Sequence, residues 1–89
     1  MPRYASIGKR DSNEAPIVQA LKLAGCDVAY GTDVDLYVRR GDLARMMEIK
    51  VPGRELELTE LQKKLAAMFG KAYVVVSSPE GALGAMGLV

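Results

Sequence analysis

The sequence predicts an α/β domain in which helices flank a mixed β-sheet, in the order α-β-β-β-α-β-α. Three observations lead there. Helical periodicity in residues 17–24 and 59–69 brackets a stretch of short strand-like runs separated by turn residues. Gly41-Asp42 makes a hairpin turn between two of those runs. The continuous β-branched run at residues 72–76 suits a strand covered on both faces. At 89 residues, 49% hydrophobic and 26% charged, the chain is one globular domain and too short for two.

Residues 1–10 have no periodicity and read as a mobile basic arm ahead of a single domain over residues 11–89. Ile17, Val18, Leu21 and Ala24 then recur at helical spacing and stop at Gly25, a glycine cap. Proline is tolerated only where its missing N–H would have gone unpaired, so Pro16 puts the N-cap at Ser12 or Asn13. Strand-like runs at residues 26–30, 35–40 and 45–51 follow, divided by Gly31-Thr32-Asp33 and Gly41-Asp42. The Arg40-Gly41-Asp42-Leu43 connection makes the second and third strands antiparallel neighbours, and Pro52-Gly53 stops the third. Thr59 opens a second helix over residues 59–69, with Leu61, Leu65, Met68 and Phe69 as its apolar face and Gly70 at its end. After the strand at residues 72–76, Ser78-Pro79 caps a last helix, weakened by Gly81 and Gly84 and finishing near Gly87.

Composition narrows the chemistry. With 12 Lys+Arg against 11 Asp+Glu the net charge is +1, which excludes a uniformly basic nucleic-acid coat. The cations fall instead in clusters: Arg3, Lys9 and Arg10; Arg39 and Arg40; Lys63 and Lys64. Such pairs either contact phosphates or simply keep a small domain in solution. The apolar runs are far below the roughly 20 residues of a membrane span, and the N-terminus lacks an apolar leader segment, which speaks for a cytoplasmic protein. Cys26 is the only cysteine, so no internal disulfide can form. The absence of histidine excludes the usual zinc sites and both Ser-His-Asp and Cys-His catalysis. Carboxylates, lysines and backbone groups remain. A domain this small buries only about 60–65% of its unfolded surface, which favours a homodimer.

Met46-Met47-Glu48-Ile49-Lys50 is the informative segment. On a strand Glu48 and Lys50 share a face, roughly 6–7 Å apart, while Met47, Ile49 and Val51 point the other way. Taken alone this equally describes a solvated sheet edge. The hairpin through Gly41, however, sets Asp35 beside Glu48, and two adjacent carboxylates repel unless a cation or the lysine compensates. Mg²⁺ suits such a pair, with the Ile49 backbone carbonyl as a third ligand. Glu14 lies on the buried side of the first helix, as a further acid facing the sheet, a first-turn residue favouring the helix dipole, or a capping-box partner of Asp11. Gln62 precedes Leu65, Ala66 and Phe69 by helical steps and faces the covered side, but Thr59-x-x-Gln62 also matches a capping box.

Glu14, Asp35-Leu36, Glu48-Ile49-Lys50 and Leu58-Thr59-x-x-Gln62-x-x-Leu65 together resemble a VRR-Nuc domain, a branch of the PD-(D/E)xK nuclease superfamily. The similarity runs over residues 11–83 and includes Ser78-Pro79-Glu80-Gly81-Ala82-Leu83. It implies a restriction-endonuclease-like core and divalent-metal phosphodiester hydrolysis. For stand-alone members common in phages, it further implies homodimers that cut branched DNA such as four-way (Holliday) junctions in the bacterial host cytoplasm. Carried over, Asp35, Glu48 and the Ile49 carbonyl hold Mg²⁺, with Mn²⁺ as substitute, and Lys50 is the catalytic lysine. Glu14 matches the first-helix acid, also a candidate ligand, and Gln62 the glutamine after the E-x-K strand. Val34 stands where the family usually has proline, which leaves Asp33 as a rival ligand.

The expected activity is therefore a metal-dependent endodeoxyribonuclease, with Lys50 either deprotonating the attacking water or holding a phosphate oxygen. Arg39, Arg40, Lys63, Lys64, Lys9 and Arg10 would contact DNA phosphates, which position the substrate without reading sequence. The alternatives are a non-catalytic DNA-binding or assembly domain on the same fold and a sequence-specific restriction-type nuclease, for which little chain is left over.

Overall fold

A computed structural model describes residues 13–88. The basic arm with Arg3, Lys9 and Arg10, the Asp11 of the capping-box alternative, and Val89 lie outside the described residues. Helix α1 (Glu14–Leu23) is followed by strands β1 (Asp27–Tyr30), β2 (Leu36–Arg40) and β3 (Leu43–Ile49). Helix α2 (Glu60–Phe69), a 3-10 turn (Gly70–Ala72), strand β4 (Tyr73–Val76) and helix α3 (Pro79–Ala85) complete the chain. The sheet order is β1-β2-β3-β4, antiparallel except for the parallel β3–β4 pair. This is the predicted mixed α/β architecture. A parallel pair needs a long crossover, which residues 50–72 supply through α2.

Alternation divides the sheet into two unlike faces. Leu36, Val38, Met47, Ile49 and Val76 meet Ile17, Val18 and Leu21 of α1 and Ala82 and Met86 around α3 to form the core. The opposite face carries Tyr73, Glu48 and, just before β2, Asp35. The run at residues 72–76 is thus covered on both sides, with Tyr73 and Val76 both buried although β4 is an edge strand.

Two glycines shape the route to that second face. Gly41 adopts φ +64° in the hairpin turn, the left-handed conformation that a two-residue connection requires. At Gly31 a Cβ would lie 2.5 Å from the Val34 carbonyl oxygen and 2.8 Å from the Tyr37 ring, so the β1–β2 loop closes too tightly for any side chain there. The Gly31 N–H donates to the Asp35 carbonyl at 3.0 Å, which ties the loop to the start of β2.

The apolar face assigned to α2 needs correction. Leu61, Met68 and Phe69 are exposed and no α2 residue is fully buried; the inward stripe is Gln62, Leu65 and Ala66. The helix is rotated so that a polar residue faces the sheet, for a reason that lies in the site. The side of the Met46–Val51 segment bearing Met47 and Ile49, and the last helix around Leu83, Met86 and Leu88, are core or packed on it. Val51, by contrast, is exposed.

Candidate active site

Strand β3 delivers Glu48 and Lys50 to the same side, as alternation requires, with Lys50 Nζ 3.9 Å from Glu48 Oε2. Glu48 is only 6% exposed. A buried carboxylate is costly unless it is paired and hydrogen-bonded, and both conditions are met here. Gln62 Nε2 donates to Glu48 Oε2 at 2.9 Å, and Lys50 Nζ donates to Gln62 Oε1 at 3.1 Å. One amide therefore bridges the acid and the lysine, which is why α2 turns Gln62 inward and leaves Leu61 and Met68 outside.

Gln62 is also a capping residue. Its Oε1 accepts from the Thr59 backbone N–H at 2.9 Å while Thr59 Oγ1 accepts from the Gln62 N–H at 3.2 Å. The two readings of this residue are not alternatives, since one side chain serves both. A Gln62→Glu chain should separate them: glutamate keeps the capping acceptor but sets a carboxylate against Glu48. The expected result is a loss of about 1–3 kcal/mol of stability near neutral pH, regained in part at lower pH as the carboxyl pair takes up a proton; a melting temperature equal to the parent's at neutral pH would reduce Gln62 to a cap.

Asp35 takes the place beside Glu48 that the hairpin promised. The β2–β3 register pairs Leu36 with Met47, so Asp35 falls opposite Glu48, and Asp35 Oδ2 accepts from the Ile49 backbone N–H at 2.7 Å. Val34 is buried, an apolar anchor where the family usually has proline, and Asp33 is exposed.

Other expected participants stand differently. Glu14 is buried in the first turn of α1, but that helix covers the opposite face. Among the described residues no three Asp, Glu, His or Cys side chains gather to hold one ion. Arg39 and Arg40 sit at the far end of β2 from Asp35. Arg39 pairs with Asp27 and donates to the Gly41 carbonyl, and Arg40 donates to the Ala24 carbonyl at 3.1 Å. At that end they link β2 to β1, to the turn and to the end of α1. Lys63 and Lys64 are exposed beside Gln62, Lys63 with Glu60 at 3.4 Å.

Two residues were not expected in the site. Asn13 is the α1 N-cap by position but makes no side-chain cap bond. Its Nδ2 instead donates to the Lys50 carbonyl at 3.1 Å and the Ser77 carbonyl at 3.0 Å, tying the ends of the parallel strands to the helix start. Tyr73 is buried with its hydroxyl unpaired. Burial first, then the negative charges of Glu48 and Asp35, push its pKa up to about 12, so it stays a neutral O–H donor. The Asn13 cap could be read from sequence; its tertiary contacts and the role of Tyr73, inside an apolar run, could not.

No helix among the described residues is long and apolar enough to cross a membrane. Comparison of the chain with family models, curated proteins and solved structures finds no match.

Proposed function

We propose that this chain is a divalent-metal-dependent, structure-specific DNA endonuclease of the VRR-Nuc type, acting on branched DNA such as four-way junctions. The observation that carries the reading is the Gln62 amide bonded at once to buried Glu48 and to Lys50, with Asp35 on the adjacent strand. A solvated sheet edge would not bury a carboxylate and then spend a helix-capping side chain on it.

Asp35, Glu48 and the Ile49 carbonyl are hard oxygen donors and fit Mg²⁺ or Mn²⁺; magnesium keeps several waters, so two carboxylates suffice without a third acid. When bound, such an ion lowers the pKa of a coordinated water and neutralises charge on the phosphoryl oxygens. The protein's part is orientation. Asp35 is fixed by the Ile49 N–H and Glu48 by Gln62 Nε2. The Lys50 ammonium has three N–H donors, of which one goes to Gln62 Oε1, leaving capacity for a phosphate oxygen at the reacting bond. Lys63, exposed next to Gln62, would contact the flanking backbone. Mg²⁺-dependent cleavage of a four-way junction in preference to a linear duplex tests the proposal; junction binding without cleavage under any divalent metal would instead favour the assembly-domain reading.

Resolving a junction takes paired cuts, and each chain carries one Glu48–Lys50 set, so the functional unit is a two-fold dimer. Its surface is the outward side of α2 with Leu61, Met68 and Phe69, next to the uncovered sheet face bearing Ala29, Tyr37 and Ala44. Light scattering at micromolar concentration should give a dimer mass for the parent. Met68→Glu, at a residue 62% exposed, should give a monomer that still melts cooperatively, at a somewhat lower temperature that no longer depends on protein concentration. A monomeric parent that still makes paired cuts would remove the dimer; a dimeric variant would place the interface elsewhere.

A further inference from the structure

We propose that the Tyr73 hydroxyl is a positioning donor for the Glu48 carboxylate when a divalent cation is held between Glu48 and Asp35. This rests on the metal-dependent reading above and extends it to a residue outside the E-x-K strand.

The placement follows from register. The parallel β3–β4 ladder sets Tyr73 beside Met46, two residues before Glu48, so Tyr73 and Glu48 share a sheet face as diagonal neighbours. Diagonal pairs on a sheet are about 7–8 Å apart at Cα, within reach of an aromatic side chain. Asp35 lies on the same face across β3. The Tyr73 ring is 6% exposed, and its hydroxyl oxygen makes no hydrogen bond. Phenylalanine would fill this volume without that cost, because a buried hydroxyl lacking a partner destabilises the fold.

The hydroxyl is thus an unpaired donor on the sheet face that carries both carboxylates. There Glu48 Oε2 is engaged by Gln62 Nε2 and lies 3.9 Å from Lys50 Nζ. With a divalent cation held by the two acids, the Tyr73 O–H would be the outer contact that fixes the orientation of the Glu48 carboxylate. Outer contacts of this kind typically change metal affinity by 10–100-fold.

The test is calorimetric titration of Mn²⁺ alone into the parent chain and into Tyr73→Phe, with a thermal melt of each without metal. The expected result is about a tenfold weaker Mn²⁺ affinity in the variant. Its melting temperature should equal or exceed the parent's, because the substitution removes only an unpaired oxygen. Equal affinities would overturn this inference and leave the metal site standing. No Mn²⁺ binding by the parent would overturn the metal site and this inference with it. A variant melting well below the parent would show that the hydroxyl is already bonded in the metal-free fold, and would overturn the inference independently of the metal.

Discussion

Replacing Lys50 with alanine is expected to slow junction cleavage by about two to four orders of magnitude while changing junction affinity by no more than about threefold. The asymmetry arises because a contact realised in the transition state affects rate more than ground-state binding. Lys50→Arg should rescue little, since a planar guanidinium cannot occupy the geometry of an ammonium that donates to Gln62 Oε1 at 3.1 Å beside Glu48. Removing the lysine also strips a partner from a buried carboxylate, so a melt must accompany the kinetics. Single-turnover rates and gel-shift affinities falling together, on a chain that remains folded, would reduce Lys50 to a phosphate-binding residue.

The second large effect concerns metal binding. Asp35→Asn and Glu48→Gln are each expected to weaken Mg²⁺ or Mn²⁺ affinity by at least about a hundredfold in calorimetry, because magnesium sites of this type rest on one or two carboxylates. The two positions differ in their structural cost. Asp35 Oδ2 accepts from the Ile49 N–H at 2.7 Å, and asparagine retains an acceptor there whereas alanine does not. Asp35→Ala should therefore lose about 1–3 kcal/mol of stability in addition to the metal, and Asp35→Asn should lose the metal alone. Metal affinity equal to the parent's in Asp35→Asn and Glu48→Gln would displace the site from this pair.

The strands, the hairpin and the placement of Asp35 beside Glu48 were legible because they follow from a period of two and one turn. Both are local properties of the chain. The same logic put Glu48 and Lys50 on one face. What escaped was anything set by non-local polar contact. The rotation of α2 could not be read from its apolar stripe, since hydrophobic periodicity registers burial and is blind to Gln62 being held by Glu48 and Lys50. Asn13 looked like a helix cap, yet it reaches carbonyls 37 and 64 residues away. Tyr73 was hidden in a run that reads as purely apolar, because sequence does not say whether a hydroxyl inside a strand finds a partner. Asp35 rather than Asp33 accepts from the Ile49 N–H, a contact across strands that sequence does not reveal.

The double use of Gln62 has a kinetic consequence. The first turn of a helix is among the segments that open most readily, with little free energy separating the closed from the frayed form. When the turn at Thr59 opens, the amide leaves Glu48 and Lys50 together, so every fraying event also dismantles the proposed site. At any instant only the chains with a closed turn are competent, and the apparent rate and affinity are scaled by that fraction. Any turnover at the proposed site would then carry the temperature dependence of a helix terminus on top of that of bond cleavage.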